Sequence, residues 1–371
     1  MIRISAPQAY YCQGGLLEQA GPLVREIASR VFIIAGPRAF DAVKEPLCRA
    51  LSGAGVGFSV ELYQGHTTAG DIAAIGRRAA ASGAGAVLAS GGGKVMDLAK
   101  AAGEEAGIPV ITVPTIPSNC AAYTPLSVIY DSKGGYAGSR ILKAAPRLVL
   151  ADAELLARAP SRFLAAGMGD TLAKLLEAQT VTGHTDVNTA LGISIARQAW
   201  DIVYPRGRDA FATAAGAAQG DPEAGRLFTG LLDAIVFLAG LIGSMRGGDY
   251  VSAYIHPLGD AFTKTGEGGK VHGEVIAFCN VVQAALFGQD GMMEELLAFN
   301  SALGLPLRLG DFGYGRAEEG ARLLAETFDW NETAPLASTP FAFGKGDLLR
   351  AILRADKAGA RCKRGVTCPL S

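Results

Sequence analysis

Histidine and tryptophan are scarce in this 371-residue sequence, which has four of the first and two of the second. An excess of either charge is also missing, since 34 Lys and Arg meet 35 Asp and Glu for a formal net charge of −1. That balance offers no electrostatic handle for nucleic acid or an anionic membrane, and neither is expected as a partner. The opening MIRISAPQAYYCQGG lacks an apolar core ahead of a cleavage site, so a secretory leader is not expected. No apolar run reaches the roughly 20 residues needed to cross a bilayer; the strongest, Leu231–Ile242, reads as a buried helix. The six cysteines are far apart, which fits reduced thiols in the cytoplasm, and Cys362 and Cys368, without CxxC spacing, read as loose terminal thiols. The 49 glycines follow no period, which excludes a collagen-like chain.

What remains is an ordinary globular composition, 49% hydrophobic and 19% charged, at a length that favours two domains. In the first half, short apolar runs at Val31–Ala35, Phe58–Leu62, Ala86–Ala89, Val110–Val113, Val128–Tyr130 and Leu148–Leu150 predict strands. Ala39–Leu51, Ala69–Ala81 and Val95–Glu105 carry helical spacing between them. This pattern predicts an α/β domain with a doubly wound, mostly parallel sheet over residues 1–158. The strand signal then fades. Ser161–Val181, Val187–Val203, Gly225–Gly243, Val251–Phe262 and Val271–Phe287 read as helices of an all-α domain over residues 159–371. Glu223–Gly243 is apolar nearly all round, as in the middle helix of a bundle. A cleft between the domains is the expected place for chemistry.

Two turns in the α/β half bear on ligand binding. Ser90-Gly91-Gly92-Gly93-Lys94 follows a predicted strand and opens a helix, where backbone N–H groups are free to meet a phosphate. It is neither GxGxxG nor a P-loop, and a plain tight turn explains three glycines equally well. Pro114-Thr115-Ile116-Pro117-Ser118-Asn119 follows the next strand, and both turns fall at carboxyl ends of strands, where open parallel sheets bind ligands. In the helical half, His256 and His272 lie on adjacent predicted helices joined by a short Gly-rich linker, and Asp170 sits on an earlier helix. Two imidazoles and a carboxylate form an open metal site that activates an alcohol or carbonyl oxygen. Spacing alone leaves a second reading open, in which the histidines are helix caps or solvated side chains. His66 and His184 have no such company and read as structural or surface residues.

Together these segments resemble the iron-containing alcohol dehydrogenase and glycerol dehydrogenase superfamily. The resemblance rests on GGGKVMDLAK at Gly91–Lys100, PTIPSNCAAYTPLSVIYD at Pro114–Asp131, GMGDTLAKLLEA at Gly167–Ala178, and the pair IHPLGDAF and KVHGE. It implies the dehydroquinate synthase-like architecture, with a nucleotide-binding front domain and a helical metal- and substrate-binding domain. It also implies NAD or NADP as cofactor and Asp170, His256 and His272 as the ligands of a catalytic metal. The iron-dependent branch has another histidine where Lys174 stands, so the resemblance favours zinc, with iron or manganese compatible. The nucleotide contacts it implies are Gly92, Gly93, Lys94 and Asp97, then Thr115 and Ser118, then Thr124, Leu126, Val128 and Tyr130. A homo-oligomer is a further implication.

Two departures narrow the activity. Glycerol dehydrogenases carry an acidic residue where this chain has Cys120, a poor partner for a hydroxyl. The surrounding run is similar to a branch containing bacterial hydroxycarboxylate dehydrogenases, which implies a small 2-hydroxy acid and its 2-oxo form. Lys174 and Arg246 are the candidates for the substrate carboxylate, and each also reads as an ordinary ion-pair residue. After the first strand, Gly36-Pro37-Arg38 replaces the acidic residue of NAD-preferring relatives, so Arg38 is a candidate for the 2′-phosphate of NADP. The alternatives are a glycerol dehydrogenase, a dehydroquinate synthase-like cyclase, and a catalytically silent nucleotide-binding protein.

Overall fold

The computed structural model describes residues 3–180, 187–246, 253–266, 269–331, 333 and 342–364. Among them the strands are β1 (Arg3–Ile4), β2 (Ala9–Gln13), β3 (Arg30–Ala35), β4 (Gly57–Leu62), β5 (Ala86–Gly91), β6 (Val110–Pro114), β7 (Leu126–Tyr130), β8 (Tyr136–Ile141), β9 (Leu148–Asp152) and β10 (Met245–Arg246). The helices of the first half are α1 (Ala20–Arg25), α2 (Pro37–Gly53), α3 (Ala69–Ala81), α4 (Gly93–Ala106) and α5 (Ala153–Ala157). Then come α6 (Ser161–Ala178), α7 (Val187–Val203), α8 (Ala210–Ala218), α9 (Pro222–Leu232), α10 (Ala239–Gly243), α11 (Ile255–Thr265), α12 (His272–Leu286), α13 (Asp290–Ala302), α14 (Ala317–Thr327) and α15 (Lys345–Cys362).

These elements form two compact units. One holds Arg3–Pro160 with Ala210–Arg246, and the other holds the described residues of Ser161–Asp209 and of Gly247–Ser371. In the first unit six strands run parallel in the order β2-β9-β6-β5-β3-β4. Strands β5, β6 and β9 are buried along their whole length, and β3 along all but Arg30, which is why their sequences read as unbroken apolar runs. Strand β3 lies between β4 and β5, so the direction of winding reverses there, and the turns after β3 and β5 flank the reversal.

Val128–Tyr130 is a strand outside this sheet. It ends β7, which pairs antiparallel with β8, a strand whose polar, glycine-interrupted sequence gave no signal. The edge strand β2 was also silent in the sequence, because its five residues AYYCQ contain no β-branched residue and no clear alternation.

The segment Ala210–Arg246 departs from the division at residue 158, since it folds with the α/β unit. Its apolar run is continuous from Pro222 to Gly243, through α9, a π-helical stretch at Asp233–Leu238, and α10. At 22 residues this run is long and apolar enough to cross a membrane, unlike the shorter stretch read from sequence, and half of an 18-residue stretch within it is buried in the fold. It is not the middle of a bundle. Helix α9 packs on β2, α5 and α8, and the Tyr10 ring stacks on Phe237 at 5.5 Å while its hydroxyl donates to Asp233 at 2.9 Å. The aromatic and hydrogen-bonding partners on β2 explain why an apolar helix settles at the edge of a sheet.

In the helical unit the central element is α12, buried from Gly273 to Leu286 and packed by α6, α11, α13 and α15. Among the described residues the five cysteines form no disulfide with one another, and Cys362 is buried in α15 instead of loose at the terminus. His184 and Cys368 lie outside the described residues.

Candidate metal centre and nucleotide turn

Helices α6 and α12 touch through glycine. A Cβ on Gly273 would stand 2.1 Å from the Ala166 carbonyl oxygen, and one on Gly169 would stand 2.8 Å from Ala277 Cβ. Each glycine adjoins a candidate ligand, so the close approach sets Asp170 beside His272. Asn280 Nδ2 donates to the Gly169 carbonyl at 2.9 Å and Gln283 Nε2 to the Leu176 carbonyl at 2.9 Å, which fixes the register of the pair. At the start of α12, Glu274 accepts the Val271 N–H at 2.8 Å and forms an ion pair with Arg162 at 2.7 Å.

Helix α11 brings the third member. Asp170 Oδ1 lies 3.5 Å from His256 Nε2 and 3.7 Å from His272 Nε2, and the three potential ligand atoms are within 4.8 Å of one another. The oxygen is buried and accepts no hydrogen bond. A buried carboxylate oxygen left without a hydrogen bond is costly. Facing two imidazole nitrogens, it is the donor set that a divalent cation satisfies, so these residues fit a metal. His256 Nδ1 meets Glu177 Oε2 at 2.8 Å, while Glu177 Oε1 accepts the His256 backbone N–H at 3.2 Å. Glu177 thus fixes the ring and turns Nε2 toward Asp170 Oδ1.

Lys174 Nζ stands 3.2 Å from His256 Nε2 and 3.8 Å from Asp170 Oδ1. Burial pushes the Asp170 carboxyl up, but the Lys174 ammonium and the two imidazoles outweigh it and hold the group below the usual carboxylate range. Burial works against the charged form of His256 as well, yet Glu177 raises its pKa to about 9. Among the described residues His272 has no carboxylate at hydrogen-bond distance, and burial lowers it to about 4.

In the α/β unit the two polar turns meet. Thr115 N–H donates to the Gly91 carbonyl at 3.0 Å, and a Cβ on Gly92 or Gly93 would press on Ile116 or Asn119, at 2.7 and 2.9 Å. Gly92 caps α4 and Lys94 is exposed in its first turn. Thr115 and Ser118 are buried, Cys120 is half-buried, and Leu126, Val128 and Tyr130 are half-buried along β7. Asp97 faces inward, with its carboxylate 2.9 Å from Lys100 Nζ. Lys100 is buried and donates to the carbonyls of Ala121, Thr124 and Leu126, so this pair shapes the loop that carries Thr124. Arg38 is exposed in the first turn of α2. Arg246 belongs to β10, and its side chain lies outside the described residues.

Glu177 and Lys100 were not picked out from the sequence, where His66 reads as a structural or surface residue. A signal for Glu177 existed, because Asp170, Lys174 and Glu177 recur at four and three residues on one face of an otherwise apolar helix.

Comparison with known proteins gives this geometry its class. The model of the iron-containing alcohol dehydrogenase family matches residues 7–153. Hydroxycarboxylate dehydrogenase A of Escherichia coli is 32% identical over 77% of this chain and 78% of its own, and glycolaldehyde reductase of Halobacterium salinarum is 29% identical over 96% and 98%. The crystal structure of glycerol dehydrogenase from Schizosaccharomyces pombe superposes with a TM-score of 0.84 at 22% identity, covering 98% of this chain and 93% of that one. The chain belongs to the iron-containing alcohol dehydrogenase family, with its dehydroquinate synthase-like architecture. It is an oxidoreductase that interconverts small alcohols and carbonyl compounds.

Proposed function

We propose that the chain is a metal-dependent, NAD(P)-linked dehydrogenase of the cytoplasm that interconverts a small 2-hydroxy acid and its 2-oxo form. The observation that carries the metal is Asp170 Oδ1, buried and without a hydrogen bond between the Nε2 atoms of His256 and His272. Asp170, His256 and His272 hold the metal, with zinc preferred by a three-ligand set of this kind. When bound, the metal supplies Lewis acidity that stabilises negative charge developing on the substrate oxygen.

The chain's own residues do the rest. Glu177 orients His256 and keeps its Nδ1 proton engaged. Lys174, on a flexible stem one turn beyond Asp170, supplies the counter-charge for the substrate's carboxylate. The backbone of Gly92 and Gly93 and the side chain of Lys94 receive the cofactor's pyrophosphate. Thr115, Ser118, Thr124, Leu126, Val128 and Tyr130 line the dinucleotide, with Asp97 and Lys100 beneath them as supports. Cys120 in place of an acidic residue favours the 2-hydroxy acid over glycerol, and exposed Arg38 favours NADP through its 2′-phosphate.

The test is to load the purified protein with zinc and follow NADPH and NADH absorbance with 2-oxobutyrate, 2-oxoglutarate and dihydroxyacetone. Turnover of the oxo acids that stops on chelation is the expected result. Turnover of dihydroxyacetone alone would reject the substrate assignment, and turnover indifferent to chelator would reject the metal.

A further inference from the structure

Thr67 is the one residue other than glycine, among those described, with a positive φ, at 57°. The left-handed region is strained for a β-branched side chain, and Thr67 is also fully buried. Its neighbours hold it there. The Tyr63 hydroxyl accepts the Thr67 N–H at 2.8 Å and donates to Asp71 Oδ2 at 2.9 Å. Thr67 Oγ1 donates to the Lys94 carbonyl at 2.9 Å, and the Tyr130 N–H donates to the Thr67 carbonyl at 3.3 Å. Thr68 and Asp71 then form the capping box of α3. The strained residue therefore ties the loop after β4 to both the glycine turn and the end of β7.

The tie decides where the preceding residue stands. His66 Nδ1 lies 3.5 Å from Lys94 Nζ, and the ring packs on Gly134, where a Cβ would come within 2.9 Å of it. Lys94 Nζ is in turn 5.3 Å from the centroid of the Tyr130 ring. Lys94 is exposed and His66 half-buried, so a ligand can reach both. A neutral imidazole that accepts from the ammonium at Nδ1 carries its proton on Nε2, which adds a second donor beside the cation. An ammonium and an imidazole N–H together suit a doubly charged pyrophosphate better than the lysine alone.

We propose that His66 is a further cofactor-binding residue, joining Lys94 on the pyrophosphate of the dinucleotide, with the left-handed backbone of Thr67 as the feature that positions it. The proposal rests on the reading of Gly92–Lys94 as the phosphate turn.

The test titrates NADPH, NADH, ADP-ribose and AMP against the full-length protein by fluorescence and competition, alongside thermal unfolding of each variant. His66→Ala and Lys94→Ala are each expected to weaken NADPH, NADH and ADP-ribose about ten-fold and to leave AMP, which lacks the pyrophosphate, within about two-fold. His66→Gln, which keeps an N–H donor, is expected to recover part of the loss, a recovery that a purely structural histidine would not show. Unchanged ADP-ribose affinity in both His66 variants, or an equal loss for AMP, overturns the proposal and leaves the cofactor site standing. Failure of the wild-type protein to bind any of the dinucleotides overturns the phosphate-turn reading, and this proposal with it.

Discussion

Glu177 grips His256 at two points, its Oε2 at 2.8 Å from the ring Nδ1 and its Oε1 at 3.2 Å from the backbone nitrogen. One buried carboxylate thereby sets both the rotation of the ring and the place where α11 begins. The histidine that takes part in the cluster is oriented from behind, by a residue that is 2% exposed and contributes no atom to the donor set.

Glu177→Gln keeps the shape and removes the charge. Zinc affinity is expected to fall about 10- to 100-fold, the usual effect of losing a carboxylate behind a histidine ligand. Competition with a chromogenic chelator measures it, and an unchanged affinity would show that the ring needs no such support.

Gly273→Ala puts a methyl group 2.1 Å from the Ala166 carbonyl oxygen. Helices α6 and α12 must separate, at a cost of about 1–3 kcal/mol, and zinc binding is expected to weaken because Asp170 and His272 part with them. Gly225→Ala is the control. A Cβ there meets nothing within 4 Å, and the change should stabilise α9 by about 0.5–1 kcal/mol. Urea unfolding reads both.

Lys100→Met leaves Asp97 buried without its cation. The expected loss is about 3–5 kcal/mol, whereas the double change Asp97→Asn with Lys100→Met should lose distinctly less, since no uncompensated charge remains. Equal losses would mean that the carbonyls gathered by Lys100 matter more than the ion pair.

Arg38→Ala should raise KM for NADPH about ten-fold and leave NADH within about two-fold, if the guanidinium meets the 2′-phosphate. Steady-state kinetics with both cofactors decide it. Equal effects on the two would place Arg38 outside the discriminating contact.

The sequence by itself carried the inner strands β3, β5, β6 and β9 of the parallel sheet, because strands covered on both faces must be continuously apolar. It also supplied the donor types at Asp170, His256 and His272, because their neighbours GMGD, IHPLGD and VHGE are short and distinctive. The turn after β5 was legible for the same reason.

The tertiary structure decided matters that depend on partners distant in the chain. Pro222–Gly243 is apolar nearly all round, and contacts such as Tyr10–Asp233 and Tyr10–Phe237, distant in the chain, place it at the sheet edge. Nothing in the spacing of His66 links it to Lys94, 28 residues on, because the link runs through the backbone of Thr67, whose φ no side-chain pattern encodes. Glu177 reads as one more helical charge until α11 lays His256 against it. Local periodicity fixes which elements form, since it reports how each segment meets water. Which side chains meet depends on long-range packing, and here that rests on a few glycines and buried ion pairs whose partners are far away in sequence.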